Sequence, residues 1–149
     1  MSERKSIDII IADRTRTGEI FIPNIYVAHN HEVDLLAITR AHRATIYEIK
    51  CSRADFFADK KKERHGQLLN RDDRIDLKPK YFIYVISGFS VTEDEIPEYA
   101  GLIDVSSGWM NQIKAPPCLW NIELPPEQRD FLYRKAIHRS MLWRKPPFS

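Results

Sequence analysis

Cysteine is scarce in this chain of 149 residues: there are two, Cys51 and Cys118. They stand far apart and match neither a zinc-ligand spacing nor a disulfide framework. Two reduced thiols are expected. Long apolar runs are missing as well. The longest, "YFIYVI", falls far short of the ~20 residues that cross a bilayer. The opening stretch MSERKSIDIIIADR lacks the apolar centre of a secretory signal. A cytoplasmic protein without membrane contact is therefore expected. Charge imbalance is small, with 23 Lys and Arg against 21 Asp and Glu and a net charge of +2. Composition alone thus does not argue for a nucleic-acid partner; the distribution of charge must do so. There is no internal repeat and no low-complexity segment, which excludes solenoids and linker-like chains. The histidines are scattered. His29 and His31 share one strand face, but two ligands do not make a zinc site.

What is present suits a folded domain. The hydrophobic fraction is 43% and the charged fraction 30%, the balance of a globular chain able to bury a core. The length fits one domain over 1–149, with 144–149 a frayed tail.

Periodicity gives the layout. Residues 3–12 read as a short helix with Ile7, Ile10 and Ile11 on one side. "EIFIPNIYVA" (19–28) is rich in β-formers, and Pro23 marks a kink or an edge strand. "VDLLAI" (33–38) and "ATIYEIK" (44–50) read as a hairpin across "TRAH". A helix is expected after Ser52, which with Asp55 forms a short-armed capping box, and Gly66 is expected to weaken or end it. "NRDDRIDLKPK" (70–80) reads as a charged loop. "YFIYVIS" (81–87) is apolar throughout, as a central strand covered on both faces would be. One helical turn within "VTEDEIPEYA", a strand at 101–107, a partner at 109–115 and a helix over 125–145 complete the order. The expected fold class is α/β: a mixed sheet flanked by helices, in the order helix, three strands, helix, strand, strand, helix. The first three strands are antiparallel, and the strand at 81–87 joins in parallel after a helical crossover.

The chemistry concentrates in the hairpin. Residues two apart on a strand share a face, so Glu48 and Lys50 lie together while Tyr47 and Ile49 face the other way. A turn near 39–43 brings residue 34 opposite residue 48. Asp34, Glu48 and Lys50 therefore converge. Two carboxylates at one point call for a cation, and oxygen ligands favour Mg²⁺ or Mn²⁺. The metal ligands are expected to be Asp34, Glu48 and the carbonyl of Ile49. Lys50 then orients a water, helps deprotonate it, or neutralises charge on a phosphate. An ordinary salt bridge on a strand edge is the competing reading of Asp34.

The stretch "VDLLAI…ATIYEIKCSRADFFADKK" resembles the core of the PD-(D/E)XK nuclease superfamily, the restriction-endonuclease-like fold, and within it the MmcB family linked to DNA repair. The pattern of an acid before a strand, then E-[IV]-K-x-S-x-x-D-[FL], is carried by Asp34, Glu48, Ile49, Lys50, Ser52, Asp55 and Phe56. "IPEYAGLIDVSSG" (96–108) is similar to the family's P-x-x-x-G-L-I strand entry, and "YRKA" (133–136) to its C-terminal helix. The resemblance implies a Mg²⁺-dependent DNA endonuclease, a phosphodiester hydrolase of DNA repair, with Asp34 and Glu48 as ligands and Lys50 as catalytic lysine. It also calls for an acid on the first helix, for which Glu3, Asp8 and Glu19 are candidates. The alternative is a nuclease-fold module that binds or assembles on DNA with little or no cleavage. A further alternative is a purely structural α/β domain with a coincidental acidic pair.

Charge distribution adds a DNA surface to these readings. Ser52 caps its helix and aims N–H groups toward a phosphate. Lys60, Lys61, Lys62 and Arg64, interleaved with Asp59 and Glu63, read as a solvated face that offers Lys60 and Lys61 to a nucleic-acid backbone. Between 129 and 145 basic residues dominate, and Arg134, Lys135 and Arg139 are the stronger backbone candidates. A homodimer and a protein partner in a repair complex are further expectations.

Overall fold

The structure, a computed structural model, describes residues 1–14, 17–28, 31–59 and 62–143. The expectations for His29, Lys60, Lys61 and the tail at 144–149 lie outside the described residues. The element order is α1 (Glu3–Arg14), β1 (Ile20–Ala28), β2 (His31–Ile38), β3 (Ala44–Lys50), α2 (Arg53–Asp59), α3 (Glu63–Leu69), β4 (Tyr81–Ile86), β5 (Ala100–Asp104), β6 (Asn111–Lys114) and α4 (Pro126–Trp143), with a 3₁₀ turn at Glu93–Glu95.

The six strands form one mixed sheet in the order β1-β2-β3-β4-β5-β6. β1, β2 and β3 are antiparallel neighbours, β3, β4 and β5 run parallel, and β6 returns antiparallel to β5. This is the α/β arrangement expected from the sequence. Pro23 sits in the edge strand β1, where its missing N–H costs no ladder bond.

Alternation along the strands builds two cores. Ile7 and Ile10 of α1 pack against Leu35, Ala37, Tyr47, Ile49, Ile83 and Val85 on one face. On the other, Phe56 of α2, Leu68 of α3 and Leu132 of α4 cover Leu36, Ile46, Phe82 and Tyr84. The apolar residues of β4 are thus shared by both cores, which explains their unbroken run. The charged loop at 70–80 is anchored by Ile75 and Leu77, both buried in the second core.

One expected element is corrected. The helix after Ser52 does not run on to Gly66. Its described part is Arg53–Asp59, Lys62 is extended (φ −74°, ψ 144°), and a second helix starts at Glu63 with Gly66 inside it. The interruption changes which side chains face the sheet. Asp59, read as solvated, is 1% exposed, and the Arg64 side chain is largely covered. Their partners on the sheet explain the inward turn.

Candidate functional site

The hairpin delivers the residues it promised. The β2–β3 ladder runs from Ile38↔Ala44 to Leu35↔Tyr47, and continuing that register sets Asp34 across from Glu48. At this end the ladder gives way to a side-chain bond: the Ile49 N–H donates to Asp34 Oδ2 at 2.8 Å. The N–H and C=O of a strand residue point toward the same neighbour. The Ile49 carbonyl is therefore directed to the side of Asp34, past the last β2–β3 pair. The Ile49 side chain packs on the opposite face, in the α1 core.

Asp34 also marks an irregularity. Val33 and Leu36 belong to the same core although they are three residues apart, so strict alternation breaks between them. Asn24, across from Asp34 by the flanking pairs Pro23↔Leu35 and Ile25↔Val33, has φ 50°. An L residue in that region marks a local departure from the pleat. This departure sets the orientation of Asp34 at the end of the ladder.

Glu48 is 2% exposed. Burial and the charge of the neighbouring Asp34 push its carboxyl well above the usual range, and Arg64 opposes them. The Arg64 Nη2 donates to Glu48 Oε1 at 2.7 Å, and its Nη1 donates to the Glu32 carbonyl at 3.0 Å. Lys50 shares the face of Glu48, but its ammonium lies 3.0 Å from Asp59 Oδ1. Asp59 gathers Lys62 at 2.9 Å and His65 Nε2 at 2.7 Å, and the Tyr84 hydroxyl donates to it at 3.2 Å. Burial would raise the Asp59 carboxyl, but His65, Lys62 and Lys50 outweigh it and hold it well below its usual value. His65 is lowered, chiefly by burial and against the pull of Asp59. Its Nδ1 meets the Tyr99 hydroxyl, and its Nε2 faces Asp59 Oδ2.

Sequence reasoning missed Asp59, Arg64, His65, Tyr84 and Tyr99 as neighbours of the hairpin. A signal was available only in part. Asp59, Lys62 and His65 recur every three residues, but the helix break that turns Asp59, Arg64 and His65 inward has no clear mark in the sequence.

The other expected residues are placed as follows. Ser52 Oγ accepts the Asp55 N–H at 3.2 Å and caps α2. Arg134 and Lys135 are exposed on α4, with the Lys135 ammonium 5.5 Å from the Phe131 ring. Arg139 is half-buried and donates to the Asn24 carbonyl at 2.7 Å. Helix α4 thus lies against β1, two strands from β3, and its basic residues are not drawn into the carboxylate site. Among the first-helix acids, Glu3 is the one coupled to the site: burial, Asp34 and Glu32 raise it, and Lys50 opposes. Asp8 is exposed, and Glu19 pairs with Arg14 at 2.7 Å.

The donor set is two carboxylates and a backbone carbonyl. Among the described residues, no group of three or more His, Cys, Asp and Glu side chains is arranged to hold a metal. A hard divalent ion fits the two-carboxylate set by its chemistry, provided that Arg64 gives up Glu48.

The six-stranded mixed sheet with helices on both faces defines an α/β protein. No family model matches the chain, and no curated protein matches it. A solved structure of a protein of unknown function from Silicibacter pomeroyi is similar, with a TM-score of 0.69 and 18% identity over 95% of this chain and 87% of that one. At that identity the likeness is one of fold. No described helix is long and apolar enough to cross a membrane.

Proposed function

We propose that this chain is a metal-dependent DNA nuclease of the PD-(D/E)XK type. The observation that carries the reading is the adjacency of Asp34 and Glu48 where the β2–β3 ladder ends, with the Ile49 N–H on Asp34 at 2.8 Å. Asp34, Glu48 and the Ile49 carbonyl would hold Mg²⁺ or Mn²⁺, which when bound supplies Lewis-acid neutralisation of phosphoryl oxygen charge. Lys50, on the same face, orients the attacking water and meets charge on the phosphate. Arg134 and Lys135 offer salt-sensitive contacts to the DNA backbone. Phosphodiester hydrolysis in DNA repair is the activity that fits these roles.

A second reading is favoured by a specific observation. Glu48 is paired with Arg64 at 2.7 Å and Lys50 with Asp59 at 3.0 Å, so both groups have protein partners. A module that binds or assembles on DNA with little cleavage would keep such pairs closed. The deciding experiment incubates the protein with Mg²⁺ or Mn²⁺ and single-stranded, duplex, flapped and branched DNA, beside Asp34→Asn and Lys50→Ala. Cleavage lost in both variants supports the nuclease. DNA binding without cleavage on every substrate favours the module.

A further inference from the structure

We propose that Arg64 is a tethered cation that occupies the carboxylate site and must leave Glu48 before a divalent ion can bind. This inference rests on the nuclease reading, because it concerns the same acidic pair.

The geometry is specific. The Arg64 side chain is 13% exposed and that of Glu48 3%, and the two meet at 2.7 Å. The guanidinium bridges the Glu48 carboxylate and the Glu32 carbonyl at the start of β2, and so spans the mouth of the hairpin where Asp34 stands. Its Nε is buried without a hydrogen-bond partner. Two of the fork's three nitrogens are used, and a buried donor is left unmet, which costs free energy.

Charge balance points the same way. Asp34 and Glu48 together carry two negative charges when ionised, and Arg64 supplies one positive charge. A divalent ion supplies two and leaves the pair neutral. The Arg64 hydrogen bond takes Oε1 of Glu48, so the guanidinium and an incoming ion compete for the same carboxylate. The segment bearing Arg64 is suited to release it. Helix α3 has seven residues, no side-chain cap at Lys62 and a glycine at its centre, all of which weaken a helix.

The test is Mn²⁺ binding measured by calorimetry and by the paramagnetic resonance of free Mn²⁺, with no DNA and no turnover. Wild type, Arg64→Gln, Arg64→Lys and Asp34→Asn are compared. Arg64→Gln should bind Mn²⁺ about tenfold or more tightly than wild type, the gain expected when a charged hydrogen bond no longer competes. Arg64→Lys should stay near wild type. Unchanged or weaker binding in Arg64→Gln, with wild-type binding still lost in Asp34→Asn, overturns the tethered cation and leaves the metal site standing. Absence of Asp34-dependent Mn²⁺ binding in wild type and in Arg64→Gln overturns the metal site itself. A second measurement needs no variant. Phenylglyoxal labelling of Arg64, mapped by mass spectrometry, should speed up when Mn²⁺ is added to the wild-type chain; an unchanged or slower rate overturns the displacement.

Discussion

Asp59→Asn is the substitution that tests the buried polar network most directly. It keeps the shape of the side chain and removes the charge that three basic groups share. The Asp59 side chain is fully buried, and Lys50, at 11% exposure, is left with a buried ammonium facing an amide. Removing one partner of a buried pair costs about 3–5 kcal/mol. Lys62 is 58% exposed and returns to water, so the lower end applies, about 3 kcal/mol. For a chain of this length that is a fall of about 9 °C in Tm. Urea unfolding should show a lower midpoint with an unchanged slope. The pH dependence has a definite sign. The Asp59 carboxyl is lowered in the folded state, so its contribution is complete above the unfolded value of about 4 and is lost as pH falls further. The gap between wild type and Asp59→Asn should therefore narrow below about pH 4. A loss smaller than about 1 kcal/mol at pH 7, the worth of a surface pair, would refute the buried-network argument.

Other expectations follow from the same geometry. Glu48→Gln should melt at or above the wild-type temperature at pH 7, because burial and Asp34 disfavour its charge and the amide oxygen still accepts from Arg64; a clear drop in Tm would contradict this. The same variant should lose Mn²⁺ binding, read by calorimetry. His31 is pushed down to about 4, by burial first and then by Arg64, against Asp76. Its folded-state value lies below the unfolded one, so stability is complete above about pH 6.5 and falls by about 3 kcal/mol toward pH 4; His31→Gln should flatten that part of the unfolding-versus-pH curve. Gly101→Ala would set a Cβ 2.8 Å from the Pro116 nitrogen, and the overpacking should cost about 1–3 kcal/mol in urea unfolding.

The sheet was legible because its signals are local and periodic. Glu48 and Lys50 alternate with Tyr47 and Ile49, and the structure keeps that alternation. The register that joins Asp34 to Glu48 followed from turn length alone. The parallel entry of β4 followed from the intervening helical segment. What could not be read was the inward turn of Asp59, Arg64 and His65. A run of Lys, Asp, Glu and Arg has no apolar stripe to orient it, and the default for such a run is solvent. Asp59 and Arg64 turn inward because Lys50 and Glu48 await them, a long-range pairing without a local signature. The anchoring of the loop by Ile75 and Leu77 is similarly hidden, since two apolar residues among seven charged ones set no period.

The burial of these charges bears on function as well as stability. Glu48 lies at the carboxyl end of β3, beside β4 in the parallel part of the sheet, where open α/β sheets bind ligands. A site that served packing alone would be more stable with apolar residues at 48 and 64, because a buried ion pair often does not recover its desolvation cost. Here the cost is compounded: Glu48 faces Asp34 as well as Arg64, and Arg64 keeps an unmet Nε. Neither feature helps the folded chain by itself. Both are accounted for if the carboxylates are held ready for a cation stronger than the guanidinium that now holds Glu48.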